Sequence, residues 1–309
     1  MILFGPIPSR RLGRSLGINN IPPKVCSYSC VYCQVGLTTK LSIERKTFYS
    51  PLIIYTEVKE RLDELKLKNE FVDYLSFVPD GEPTLDINLA ESIQLLHDFG
   101  IKIAVFTNSS LIWKRDVQEA LNIADYVSLK IDTTDVLTWQ KINRPTHLLN
   151  LNKILDGILQ FRENYSGKLV TETMLIEGFN DNEDDLIKIV HFIVNVVPDI
   201  AYLTIPTRPT PLKGIHSPAN EKTVSIYKII QSIYPKVELL NTYEGNEFST
   251  AGETEKALIS IMAVHPMRKD AVDTYLTNTN SNWDMIKRLI EEEKVKELKY
   301  EGNLFYKKN

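Results

Sequence analysis

The stretch "VCSYSCVYCQVG", residues 25–36, holds every cysteine of this 309-residue chain: Cys26, Cys30 and Cys33. Their spacing is C-x3-C-x2-C. Three thiols cannot all pair off, and a reducing compartment disfavours disulfides. Three unrelated thiols packed as small hydrophobes would scatter along the chain rather than fall within eight positions. A structural zinc site asks for four Cys or His ligands in paired spacing, and the nearest histidine in sequence is His97. An iron–sulfur cluster remains. A [4Fe–4S] cluster is commonly held by four thiolates; three leave one iron open to the donor atoms of a small molecule.

The rest of the composition frames that site. With 43% apolar and 25% charged residues, the chain reads as an ordinary globular protein long enough for about two domains. No apolar run reaches the roughly 18 residues of a membrane helix, and "MILFGPIPSRRLGRSLG" lacks the order of a signal peptide. A cytoplasmic protein without a membrane partner is expected. A net charge of -4 gives no bulk reason for a polyanion partner. Arg10, Arg11 and Arg14, with Lys24 nearby, are a local basic exception, either a solvated loop or an anion-binding one.

Downstream, strand and helix patterns alternate. "VDYLSFV" (72–78), "IKIAVFT" (101–107), "DYVSLKI" (125–131), "KLVTETMLI" (168–176) and "IAYLTIP" (200–206) read as buried parallel strands. Helical patterns follow at 87–100, 113–122, 136–142, 150–164, 185–197 and 219–233. This order predicts a parallel α/β sheet with right-handed crossovers, a partial or full (β/α) barrel over residues 1–250. Each polar loop directly follows a strand, at the end where barrels gather catalytic groups. No G-x-G-x-x-G opens a helix, so a dinucleotide-binding sheet is the weaker reading.

The cysteine motif resembles that of the radical S-adenosylmethionine (radical SAM) superfamily, in which an aromatic residue precedes the last cysteine; Tyr32 stands there. The resemblance implies a [4Fe–4S] cluster on Cys26, Cys30 and Cys33. Its open iron would chelate SAM, and an electron from the cluster would cleave SAM to methionine and a 5'-deoxyadenosyl radical. A low-potential donor of flavodoxin or ferredoxin type is implied as partner. "DGEPTL" resembles the family's G-E-P motif, which holds SAM's amino group: Glu82 offers the carboxylate, while Gly81, Pro83 and Thr84 shape the turn. Asn108 and Ser109 follow the next strand, where the family places polar contacts to SAM. Lys130 and Asp132 end the strand after that, where they would meet SAM or substrate, or pair with each other.

Four further stretches, "FGPIPSRRLGRSLGINNIP" (4–22), "WQKINRPTHLLNLNKILDGI" (139–158), "VTETMLIEGFNDNEDDL" (170–186) and "LTIPTRPTP" (203–211), resemble compact members related to the tRNA-modifying wyosine synthetases. Archaeal wyosine synthetase carries additional N-terminal cysteines for a second cluster, and this chain has none outside 26–33. Arg144 and Arg208, in "NRP" and "TRP", suit bidentate recognition of a carboxylate or phosphate, or else are solvent-exposed structural arginines. Glu172, in an apolar strand, calls for a cationic or hydrogen-bonded partner.

Residues 253–309 change character. Two helical segments flank Pro266, a third spans "NWDMIKRLIEEEKV", and "VKELKYEGNLFYKK" alternates as a hairpin with Gly302 in its turn. This order resembles a winged helix, a module for nucleic acid or protein. Its ten Lys/Arg against ten Asp/Glu give no basic stripe. "EGNEFSTAG" (244–252) reads as the linker. Three functions follow: a radical SAM enzyme abstracting hydrogen from a substrate, with tRNA modification leading; an activase that installs a radical on a partner protein; and an iron–sulfur winged-helix redox regulator.

Overall fold

The computed structural model describes residues 2–241, 245, 246, 248–250 and 253–309. The chain opens with β1 (Leu3–Ser9), β2 (Gly13–Ile18), β3 (Val25–Cys26), β4 (Lys40–Leu41) and α1 (Pro51–Leu67). Then come β5 (Tyr74–Phe77), α2 (Leu89–Leu96), β6 (Lys102–Thr107), α3 (Arg115–Asn122) and β7 (Tyr126–Lys130). Helices α4 (Val136–Ile142) and α5 (Leu151–Asn164) lead to β8 (Lys168–Met174), α6 (Glu183–Val196), β9 (Ile200–Thr204), α7 (Asn220–Ile233) and β10 (Val237–Leu240).

Eight strands form one sheet in the order β1-β2-β5-β6-β7-β8-β9-β10, parallel throughout except for β1 on β2. Among the described residues no ladder joins β1 to β10, so the barrel is partial and not closed by hydrogen bonding. Leu12 in the β1–β2 turn and Leu240 in β10 share one buried cluster with Ala104, Tyr126, Val170 and Tyr202. Side chains on the inner face thus draw the two ends of the sheet together. The opposite face packs against the helices; its largest cluster includes Leu75, Phe77, Ile103, Val105, Val127 and Leu129 of the strands and Ile54, Ile93, Leu121 and Phe161 of the helices. Local chemistry sets the helix ends. Asp135, Asn150 and Asn182 each accept a backbone N–H in the first turn of α4, α5 and α6. Gly100 stops the segment after α2 at φ +65°, a conformation glycine reaches without steric cost.

The five expected strands and six expected helical patterns are all present. The β1–β2 hairpin, α1 and β10 are additional. No alternation announces β1: Gly5 and Pro6 interrupt it, and a register shift between Phe4 and Ile7 breaks its pairing with β2.

The C-terminal elements are α8 (Thr254–Val264), β11 (Met267–Arg268), α9 (Lys269–Asn278), α10 (Trp283–Glu291), β12 (Val295–Tyr300) and β13 (Asn303–Lys308). The strands form an antiparallel sheet in the order β11-β13-β12. Glu301 and Gly302 turn the hairpin with φ of +45° and +79°, as a two-residue hairpin turn requires. These elements have their own core, which includes Leu258, Ile261, Val272, Leu276, Ile286 and Leu289, and Ile7 of β1 packs against it. The expected linker 244–252 lies partly outside the described residues. Within it Phe248 is buried in that core, and the Ser249 N–H donates to the Pro6 carbonyl at 3.0 Å.

Candidate active site

The cysteine loop leaves β3 and is strapped down on two sides. On one side the Lys24 N–H donates to the Asp80 carbonyl at 2.7 Å, and the Glu82 N–H to the Val25 carbonyl at 3.1 Å. Gly81 sits between these bonds. A Cβ there would lie 1.9 Å from the Val25 oxygen, so the motif's glycine permits the close approach of two backbones. On the other side the Ser29 N–H donates to the Asn143 carbonyl (3.0 Å), the Val31 N–H to the Ile142 carbonyl (2.9 Å) and the Thr146 N–H to the Ser27 carbonyl (3.2 Å). The segment after α4 is therefore a strap across the thiol loop.

All three thiols are free and half-buried. The Asn108 side-chain amide donates to Cys26 Sγ at 3.4 Å and to Ser27 Oγ at 2.9 Å. Asn143 donates to Cys30 Sγ at 3.5 Å and to Asp132 Oδ2 at 2.7 Å. Burial, with the charge of Asp132 added, pushes the Cys30 thiol up to about 12; burial raises Cys26 and Cys33 as well. Thiolates here call for a cationic group to stabilise them. Among the described residues no three His, Cys, Asp or Glu side chains converge on a single-ion site. Three thiols on one loop, two of them already met by amide donors, fit a polynuclear group.

Glu82 is 1% exposed. Its Oε1 accepts from the Thr84 N–H (3.0 Å), the Thr84 hydroxyl (2.5 Å) and the Thr107 hydroxyl (2.7 Å), and its Oε2 from the Asn108 N–H (2.7 Å). Burial raises its pKa, and these four donors oppose the rise. The carboxylate thus ties the turn after β5, where Pro83 and Thr84 are also buried, to the loop after β6. Ser109, in that second loop, has φ +66° and a buried Oγ that no protein group bonds.

Inside the sheet, register decides the charge pairing. Lys130 of β7 lies directly opposite Glu172 of β8, and its Nζ is 2.5 Å from Oε1. Arg11, from the β1–β2 turn, pairs with Oε2 of the same carboxylate and stacks over Phe106 at 4.7 Å. Burial alone would raise Glu172, but Lys130 and Arg11 hold it well below the usual carboxylate range. Asp132 does not pair with Lys130. It accepts from the Tyr32 hydroxyl, the Asn143 amide and the Met174 N–H. Tyr32 in turn holds its ring 5.0 Å from Lys130 Nζ. Arg11, Tyr32, Lys130 and Glu172, but not Asp132, line a cavity of about 280 Å³ that also takes in Cys33, Arg10, Met174 and Arg208.

Gln34 lines this cavity too. Its side chain accepts from Arg208 at 2.9 Å and donates to the Val264 carbonyl at 3.1 Å, while its own carbonyl accepts from Lys307. Arg208 also meets His265 Nε2 at 3.1 Å. The C-terminal elements thus grip the residue that follows Cys33. Arg144, in contrast, is exposed at φ +46°, and its carbonyl accepts from the Ser29 N–H at 3.2 Å. Its side chain does not line the cavity. Sequence reasoning missed Asn143, Thr107, Gln34 and His265 as site residues, and left Arg11 in a basic cluster read as either a solvated loop or an anion-binding one. Asn143 stood in the quoted "NRP" stretch, Gln34 directly after Cys33 in the thiol stretch and Thr107 at the end of the strand before Asn108; His265 carried no signal.

A protein-family model described as the radical SAM superfamily matches residues 20–193. A UPF0026 protein of Methanocaldococcus jannaschii is 47% identical over 310 aligned positions, covering 100% of this chain and 96% of the relative. Among solved structures, a radical SAM methyltransferase from Sphaerobacter thermophilus superposes with a TM-score of 0.57 at 12% identity, covering 74% of this chain and 67% of its own. A structure of TYW1 with a lysine-pyruvate adduct bound gives 0.53 at 16% identity, covering 71% and 73%.

Proposed function

The chain belongs to the radical SAM superfamily, whose members use a [4Fe–4S] cluster and SAM, and from that premise we propose an enzyme that abstracts hydrogen from a tRNA nucleotide. Cys26, Cys30 and Cys33 hold the cluster. When bound, the cluster supplies the electron that cleaves SAM and so provides the hydrogen-abstracting radical. One observation carries the reading: of three clustered thiols, two accept amide hydrogen bonds and the third, Cys33, lines a cavity that holds a charged triad of Arg11, Lys130 and Glu172.

The chain's own residues divide the work by position. Asn108 and Asn143 orient and stabilise thiolates, as outer-shell donors do for metal ligands. Asp132 fixes Asn143 and Tyr32 together. Glu82 Oε2 accepts one protein donor and retains capacity for SAM's ammonium. Gly81, Pro83 and Thr84 keep that carboxylate in place, and the unpartnered Ser109 Oγ offers a further polar contact. Lys130, Glu172, Arg11 and Arg208 face the substrate, and their cationic excess favours an anionic one. Arg144 acts through its backbone, on the thiol loop.

The tRNA assignment is supported by the four stretches similar to wyosine synthetases and by the fold shared with TYW1. The C-terminal elements, read as a winged-helix-like module, place the macromolecule beside the cavity. A flavodoxin- or ferredoxin-type donor supplies electrons. The test is mass spectrometry of nucleosides from the tRNA of a strain lacking the gene. A modified nucleoside missing from that strain and restored by the gene supports the assignment. Identical nucleoside profiles in both strains contradict it.

A further inference from the structure

A second cleft, of about 360 Å³, lies between the thiol loop and the C-terminal sheet. Lys24, Lys296, Lys307 and Lys308 line it, with Val35 and Asp80. The C-terminal segment is neutral by count, yet folding brings three of its lysines together with one from the barrel side. Among the described residues, Lys24, Lys296 and Lys308 form no ion pair. Burial, then the charges of Lys296 and Lys24, hold Lys307 below its ordinary pKa, which places the ammoniums within range of one another. Like charges gathered in one concavity favour an anion. Asp80 supplies the second observation: it is 7% exposed, and its Oδ1 is buried without a hydrogen-bond partner. A buried carboxylate oxygen left in that state marks a place for a donor from a ligand.

We propose that this cleft seats the phosphates of an RNA strand, with Asp80 accepting a hydrogen bond from a sugar hydroxyl or base N–H. Val35 lines both this cleft and the cavity beside Cys33. A strand held on the lysines therefore lies next to the cavity into which one of its nucleotides would reach. The inference rests on the tRNA reading above and adds where the strand is gripped. A ligand with both phosphates and hydroxyl or amine donors matches the two kinds of group present.

Fluorescence anisotropy of the full-length, cluster-loaded protein with a labelled 12-nucleotide single-stranded RNA tests this. For a single strand, log K against log salt falls by about 0.7 per phosphate neutralised, so four lysines give a slope of roughly -2.8. The double variant Lys296→Ala/Lys308→Ala removes two exposed side chains; it should bind on the order of tenfold more weakly at moderate salt, with a slope near -1.4. Circular dichroism and the thermal midpoint check that it is folded. If wild type binds RNA and the double variant matches it in affinity and slope, the cleft assignment is overturned while the tRNA reading stands. If wild type binds no RNA, both lose their support. Adenosine monophosphate displacing the strand at equal concentration would assign the cleft to a free nucleotide and overturn the proposal.

Discussion

Gly81 faces the Val25 carbonyl oxygen so closely that a Cβ at position 81 would lie 1.9 Å from it. The G-E-P turn and the start of the thiol loop are thereby one structural unit, joined by the Lys24–Asp80 and Glu82–Val25 backbone bonds. Gly81→Ala must push them apart, at a cost of about 1–3 kcal/mol for overpacking. Denaturant unfolding should show that loss, and iron retained after reconstitution should fall with it. An alanine variant with wild-type stability and iron content would mean that the two segments move independently.

The Glu172 carboxylate links Lys130 and Arg11 across three elements of the sheet's inner face. Its folded pKa is depressed, so its contribution is present above the unfolded carboxylate value, about 4.3, and is lost as pH falls through the folded one. At pH 7, Glu172→Gln should cost about 3 kcal/mol by leaving two half-buried cations uncompensated. The gap between variant and wild type should narrow below pH about 4, as the unfolded wild-type chain takes up a proton that folded Glu172 accepts only at far lower pH. Urea titrations at pH 7, 5 and 3 give the comparison; a gap that does not change with pH would refute the charge assignment.

Asn143 touches Cys30 Sγ and Asp132 at once. Asn143→Ala should weaken iron retention by about tenfold, the lower range for removal of an outer-shell partner. It should also move the cluster's reduction potential to a more negative value, because a hydrogen bond to a cluster sulfur favours the more electron-rich state. A potentiometric titration followed by electron paramagnetic resonance reads both. An unchanged potential would leave Asn143 as a strap and nothing more.

The parallel core was legible in the sequence because each buried strand is a short apolar run bounded by polar loop residues, as in "IKIAVFT" before Asn108. The thiol loop was legible from spacing alone. Pairings between elements were not. Lys130 and Asp132 are two apart in sequence, and pairing with each other was one of two readings beside contact with SAM or substrate, yet the β7–β8 register sets Glu172 directly opposite Lys130 and leaves Asp132 to Tyr32 and Asn143. Arg11 was visible as one of three clustered arginines, but only the turn between β1 and β2 carries it to Glu172. Likewise Lys296, Lys307 and Lys308 sit among equal numbers of acids in sequence. Their convergence with Lys24 depends on how the C-terminal sheet packs over the thiol loop.

The central claim is that Cys26, Cys30 and Cys33 carry a cluster that cleaves SAM. Anaerobic reconstitution of wild type should give about four iron and four sulfide per chain. With a strong low-potential reductant and SAM, the reconstituted protein should form 5'-deoxyadenosine, measured by liquid chromatography. Cys26→Ala, Cys30→Ala and Cys33→Ala should each abolish both the visible absorption of the cluster and that product. A wild-type protein that holds its iron and forms no 5'-deoxyadenosine, or a cysteine variant that still forms it, would contradict the account.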